Sequence, residues 1–80
     1  MREKADYSLD FRDVIAPLNL LKAARKFREM APNQILEIWS GDPNTRMDLL
    51  KMFALLPHEL LSAEEQDSDG VTYRIRLIKK

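Results

Sequence analysis

Along the last quarter of the chain, Val71, Tyr73, Ile75 and Leu77 alternate with Thr72, Arg74, Arg76 and Ile78. A two-residue period sends successive side chains to opposite faces of an extended backbone, so residues 71–78 predict a half-buried strand. Tyr7, Leu9 and Phe11, alternating with Ser8, Asp10 and Arg12, predict a shorter strand of the same kind. Between them the period changes. Leu18, Leu21 and Ala24, and equally Leu20, Ala24 and Phe27, recur at helical spacing, while Lys22, Arg25, Lys26 and Arg28 fill the other face. This predicts a helix over 17–30. Pro17 suits the first helical position, where a missing N–H costs nothing, and Pro32 with Asn33 ends the helix.

Residues 34–40, QILEIWS, predict a second strand. Asp42 is a natural N-cap with Pro43 behind it, opening a second helix over 43–56. Its stripe is Met47, Leu50, Phe53 and Ala54, with Leu49, Met52 and Leu56 beside it. Pro57 restricts the residue before it and so closes the helix. A third strand over 58–66 follows, with Leu60 and Leu61 leaving its facing open, and DSDG at 67–70 predicts a turn. The order β-α-β-α-β-β predicts an α+β fold: a two-layer sandwich in which a four-stranded mixed sheet carries both helices on one face. Leu21 and Phe53 are expected in its core, and residues 1–80 are expected to form a single domain.

Eighty residues allow only a modest core, about 60% of the unfolded surface. Thirteen basic residues balance thirteen acidic ones, which removes any general attraction to nucleic acid or anionic membranes. No stretch is long and apolar enough for a membrane span or a signal peptide, so a cytoplasmic monomer is expected. The chain contains no cysteine, hence no disulfide, thiolate metal site or thiol chemistry.

The candidate chemistry is thin. His58, the only histidine, has neither a nucleophile nor metal-ligating partners in its pattern. Asp10, Asp42 and Asp48 fit capping and turn roles better than paired-carboxylate catalysis. GDPN has a single glycine and is no phosphate loop. Met30, Met47 and Met52 are expected to fill gaps in the core. Lys22, Arg25, Lys26 and Arg28 read as a solvated face or as a docking surface for an acidic partner protein, and no RNA-binding motif accompanies them. The residue before Pro17 sits where helix N–H groups and the positive dipole end favour an anion or a thiolate. There the chain has Ala16.

Taken together, these segments resemble the TusA/SirA-like family of small sulfur carriers. SLDFRDVIAPLN is similar to that family's Leu-Asp-x-Arg strand end and Cys-Pro-x-Pro helix opening, with Leu9, Asp10, Arg12 and Pro17 in place. EMAPNQILEI is similar to its Met-x-Pro-Gly-Glu-x-Leu-Glu-Val segment, with Asn33 at the glycine. GDPNTRMDLL keeps Asp42, Pro43 and Asp48, and HELLSAEEQDSDGVTYRIRLIKK follows the family's closing strands. The resemblance implies sulfur held as a cysteine persulfide, with no cofactor and no metal. It also implies that Ala16 stands where the persulfide cysteine belongs. Asn19 replaces the usual second proline, Asp13 a common glycine, and Pro57 precedes His58 where glycine is frequent.

Without the thiol the implied catalytic set is empty. What remains is a vacated position, Ala16 with Pro17 and Asn19, and a binding set of Arg12, Asp13, Ala16, Pro17, Lys22 and Arg25. Three readings stay open. The chain is a cysteine-less relative that docks on sulfur-relay proteins without being an enzyme, a persulfide carrier whose cysteine was replaced by Ala16, or a small RNA- or protein-binding module.

Overall fold

The computed structural model of the protein describes residues 4–12, 17–67 and 71–80. Six elements follow one another: β1 (Tyr7–Asp10), α1 (Leu18–Glu29), β2 (Ile35–Ser40), α2 (Pro43–Phe53), β3 (His58–Asp67) and β4 (Val71–Lys79). The strands form one sheet in the order β1-β2-β4-β3, with β1 parallel to β2 and the other pairs antiparallel.

Register decides which side of the sheet is the core. Leu36 lies opposite Leu77 and Ile38 opposite Ile75, so the four share one face, and all are buried. Both helices lie over that face, where Phe27 of α1 meets Phe53 of α2 edge to face at 5.1 Å. Each fully buried side chain of this kind contributes roughly 1.5–3 kcal/mol of transfer free energy. The opposite face carries the alternate residues as a charged layer. Glu37 accepts from Trp39 Nε1 at 3.2 Å and pairs with Arg76 at 3.4 Å and Arg74 at 3.8 Å, while Arg74 also pairs with Glu64. Charges held this way need no second helix layer above them.

The loops follow local chemistry. Asn33 adopts φ 75°, the left-handed conformation expected of it. Lys79 Nζ donates to the carbonyls of Arg28 and Met30 at 3.1 and 2.6 Å, satisfying acceptors that α1 leaves at its end. In β3 the register slips between Leu60 and Ser62. This bulge at Leu61 resolves the ambiguous Leu60–Leu61 pair, since one extra residue changes the face that follows.

Four expectations need correction. Pro17 is the N-cap of α1 (φ −93°, ψ 6°) and not its first helical residue. α2 ends at Phe53, three residues before the expected limit, in a tighter turn where Leu55 and Leu56 donate to Met52 and Phe53. Leu21 is 62% exposed, and Leu18 and Met47 are also exposed. Met47 therefore fills no gap in the core, unlike the buried Met30.

The last two corrections share a cause. The inward face of α1 is Asn19, Ala23 and Phe27, and that of α2 is Thr45, Leu49 and Phe53. At about 100° per residue, Leu21 lies about 200° from both Asn19 and Ala23. Met47 stands in the same relation to Thr45 and Leu49. Each helix turns a polar residue inward and an apolar one out.

Candidate functional site

The site at the opening of α1 starts from the exit of β1. Asp10 and Arg12 form a two-pronged fork: Arg12 Nε donates to Asp10 Oδ1 at 2.9 Å and Nη2 to Oδ2 at 2.7 Å. The Arg12 backbone N–H donates to the same carboxylate at 3.0 Å. These bonds hold the Asp10 carboxyl below its usual pKa of 3.8. The Asp-x-Arg spacing thus fixes how the chain leaves the strand, and it binds Arg12's charge to a neighbour.

On the far side of the site, the chain leaves β2 through Gly41. A Cβ built at Gly41 would lie 3.8 Å from the Arg12 carbonyl oxygen, an ordinary contact, so the exits of β1 and β2 run side by side. Asp42 then caps α2, its Oδ1 accepting from the Asn44 N–H at 3.0 Å, with Pro43 first in the helix as the sequence predicts.

The two helix openings are tied together. Asn19 is fully buried and its Nδ2 donates to Thr45 Oγ1 at 3.2 Å, while Thr45 Oγ1 donates to Asp42 Oδ2 at 3.4 Å. Asn19 Oδ1 accepts from the Leu20 N–H at 2.7 Å. A buried amide is tolerated when its groups are satisfied, and here that requirement fixes one helix against the other. Beside this tie, Pro17, Leu18 and Leu21 are exposed, the two leucines three residues apart on one helical face.

The structure therefore divides the expected binding set. Pro17 and Asn19 sit at the opening of α1, and the Arg12 backbone lies beside Gly41 at the exit of β2. Lys22 and Arg25 instead line an open groove of ≈ 300 Å³ with Leu9, Lys26 and Glu29, between α1 and β1. Asp13 and Ala16 lie outside the described residues. His58 takes a structural place at the start of β3: its Nδ1–H donates to the Leu56 carbonyl at 2.9 Å and its ring lies 6.2 Å from Phe53.

Sequence reasoning passed over Thr45 and the exposed pair Leu18 and Leu21. For Thr45 a signal existed, because it stands three residues after an N-cap aspartate, within reach of it. For the leucines none did, since nothing in the spacing separates an exposed apolar stripe from a buried one.

The sequence pattern of the family described as Sulfurtransferase TusA matches residues 7–79. The Sulfur carrier protein TusA of Pseudomonas aeruginosa (strain LESB58) is 32% identical over 80 residues, covering 100% of this chain and 98% of that protein. A Putative sulfur carrier protein of Thermotoga maritima is 31% identical over 58 residues, 72% of this chain and 73% of its own. The crystal structure of a SirA-like protein from Desulfitobacterium hafniense superposes with a TM-score of 0.73 over 90% of this chain and 95% of that one. At 14% identity that likeness concerns the fold alone.

Proposed function

This chain belongs to the TusA family, and we propose that it serves as a docking module on sulfur-relay proteins without carrying sulfur itself. The observation that carries this reading is a family match over residues 7–79 in a chain with no cysteine. Holding sulfur as a persulfide requires a thiolate, and passing it on requires thiol attack; no other side chain here does either. Docking requires only a surface. Leu18 and Leu21 supply exposed apolar contact beside Pro17, above the rigid tie between Asn19 and Thr45.

The test is competition. A thiol-bearing TusA-type carrier is charged with sulfur by a cysteine desulfurase, and this chain is added in excess. It should slow charging by occupying the carrier's docking place, and mass spectrometry should find no sulfur on the added chain. Leu18→Asp with Leu21→Asp should abolish the inhibition. Charging that proceeds unaffected, with no binding by calorimetry, would contradict the docking reading. Stable sulfur on this chain would contradict the non-carrier reading.

A further inference from the structure

The groove beside β1 combines three features that the opening of α1 does not explain. Its wall is cationic: Lys22, Arg25 and Lys26 project from α1, and the one carboxylate among them, Glu29, is shared by Arg25 at 3.4 Å and Lys26 at 3.6 Å. Lys22 has no carboxylate partner among the described residues. The floor is apolar, formed by Leu9, and the Tyr7 ring lies 4.7 Å from Lys26 Nζ.

The third feature is the backbone. β1 is an outer strand of the sheet, with β2 on one side and no strand on the other among the described residues. The Phe11 N–H donates to the Trp39 carbonyl at 2.7 Å, which with the pairing of Asp10 and Trp39 sets the phase of the strand. Alternation then turns Tyr7 and Leu9 toward β2 and leaves the N–H and C=O groups of Ser8 and Asp10 pointing away from the sheet.

The opposite edge, β3, differs in kind. It carries exposed Glu59, Glu64 and Glu65 and a bulge, both devices that discourage a further strand from joining. β1 has no proline and no bulge where it runs beside β2.

We propose that the free edge of β1 and the Lys22–Arg25–Lys26 wall form a docking site for an extended acidic segment of a partner protein. The segment adds to the sheet as a fifth strand beside β1. Its backbone pairs with the outward groups of Ser8 and Asp10, and alternate carboxylates reach Lys22, Arg25 and Lys26. The apolar floor and the backbone edge favour a peptide over nucleic acid, because a phosphodiester chain offers no N–H groups to pair with a strand. This site deepens the docking reading given above and rests only on its binding half. Its test uses a synthetic peptide, so it stands or falls without any sulfur-relay protein.

The probe is a fluorescein-labelled peptide of alternating Glu and Thr, followed by anisotropy at low salt. Binding should be on the order of micromolar, as expected for a short added strand. Lys22→Glu with Arg25→Glu should weaken it about tenfold or more, since both charges become repulsive. Methylating the peptide's alternate backbone nitrogens should weaken it equally on the unaltered protein, which keeps the test decisive even if the double variant misfolds. NMR shift changes should fall on residues 7–10 and 22–29.

Absence of binding at low salt would overturn the proposal. So would binding indifferent to both changes, or equal binding of single-stranded DNA of the same charge. Concentration-dependent self-association abolished by Lys22→Glu with Arg25→Glu would instead make the occupant a second copy of this chain.

Discussion

The two helices open in opposite ways. α2 starts under a side-chain cap, with Asp42 accepting from Asn44 and Pro43 preset for the first turn. α1 starts at Pro17, which has no side-chain acceptor to offer, although within its first turn the Leu20 N–H is taken by Asn19 Oδ1. A capped opening is electrostatically satisfied and chemically quiet. An opening without a side-chain cap keeps N–H groups and a positive dipole end available to whatever anion arrives. That is the place where the TusA family resemblance puts its sulfur-bearing cysteine. In this chain that opening has no side-chain cap, and the sequence holds no cysteine.

The contrast depends on one shared core, so its most drastic test removes that core. Phe53 is fully buried and holds α2 against Phe27 of α1. Phe53→Ala should cost about 3–5 kcal/mol, comparable to the roughly 3–5 kcal/mol that a core of this size supplies in total. The variant should be largely unfolded by circular dichroism at room temperature, and both openings should be lost together.

A sharper test separates the two. Asp42→Ala should destabilise by about 1 kcal/mol in urea unfolding, because the Asn44 N–H loses its acceptor and Thr45 loses a partner. Pro17→Ala removes no side-chain acceptor and should cost measurably less. Equal losses would mean that the openings are not different in kind.

Much of this architecture was legible in the sequence. The alternation over 71–78 and the Asp42-Pro43 pair predicted β4 and the start of α2, because strand period and cap chemistry are local properties. The orientation of the helices was not. Leu21 and Met47 look like core residues until Asn19 and Thr45 are known to bond to each other across the helix pair. A buried hydrogen bond between residues 26 positions apart leaves no periodic trace. The division of the binding set was hidden for the same reason: Lys22 and Arg25 belong to a groove that exists only once α1 lies beside β1.

Smaller effects follow. The carboxyl of Asp10 is stabilised as an anion by Arg12, so its folded pKa lies below the usual 3.8. The pair's contribution is complete above that value and is lost as pH falls through the lowered folded pKa. Both side chains are half exposed, which limits the contribution to under about 1 kcal/mol. Unfolding midpoints should thus decline slightly more steeply below about pH 4 in the unaltered protein than in Asp10→Asn. The smallest effect is expected at Leu21. Exposed as it is, Leu21→Lys should change stability by no more than about 0.5 kcal/mol. A loss of several kcal/mol would restore the core role that its spacing implies.

The central claim is that the opening of α1 remains suited to an anion although the chain holds no thiol. Ala16→Cys tests it directly. The thiol is titrated by its thiolate absorbance in the folded protein and again in denaturant. The account predicts a folded-state pKa below the unperturbed value of about 8.5, by roughly a unit, because helix N–H groups and the dipole favour the thiolate. A folded-state value at or above that of the denatured chain would contradict it. The opposing charge of Asp13 would then have outweighed the helix, leaving the fold of the family without its reactive setting.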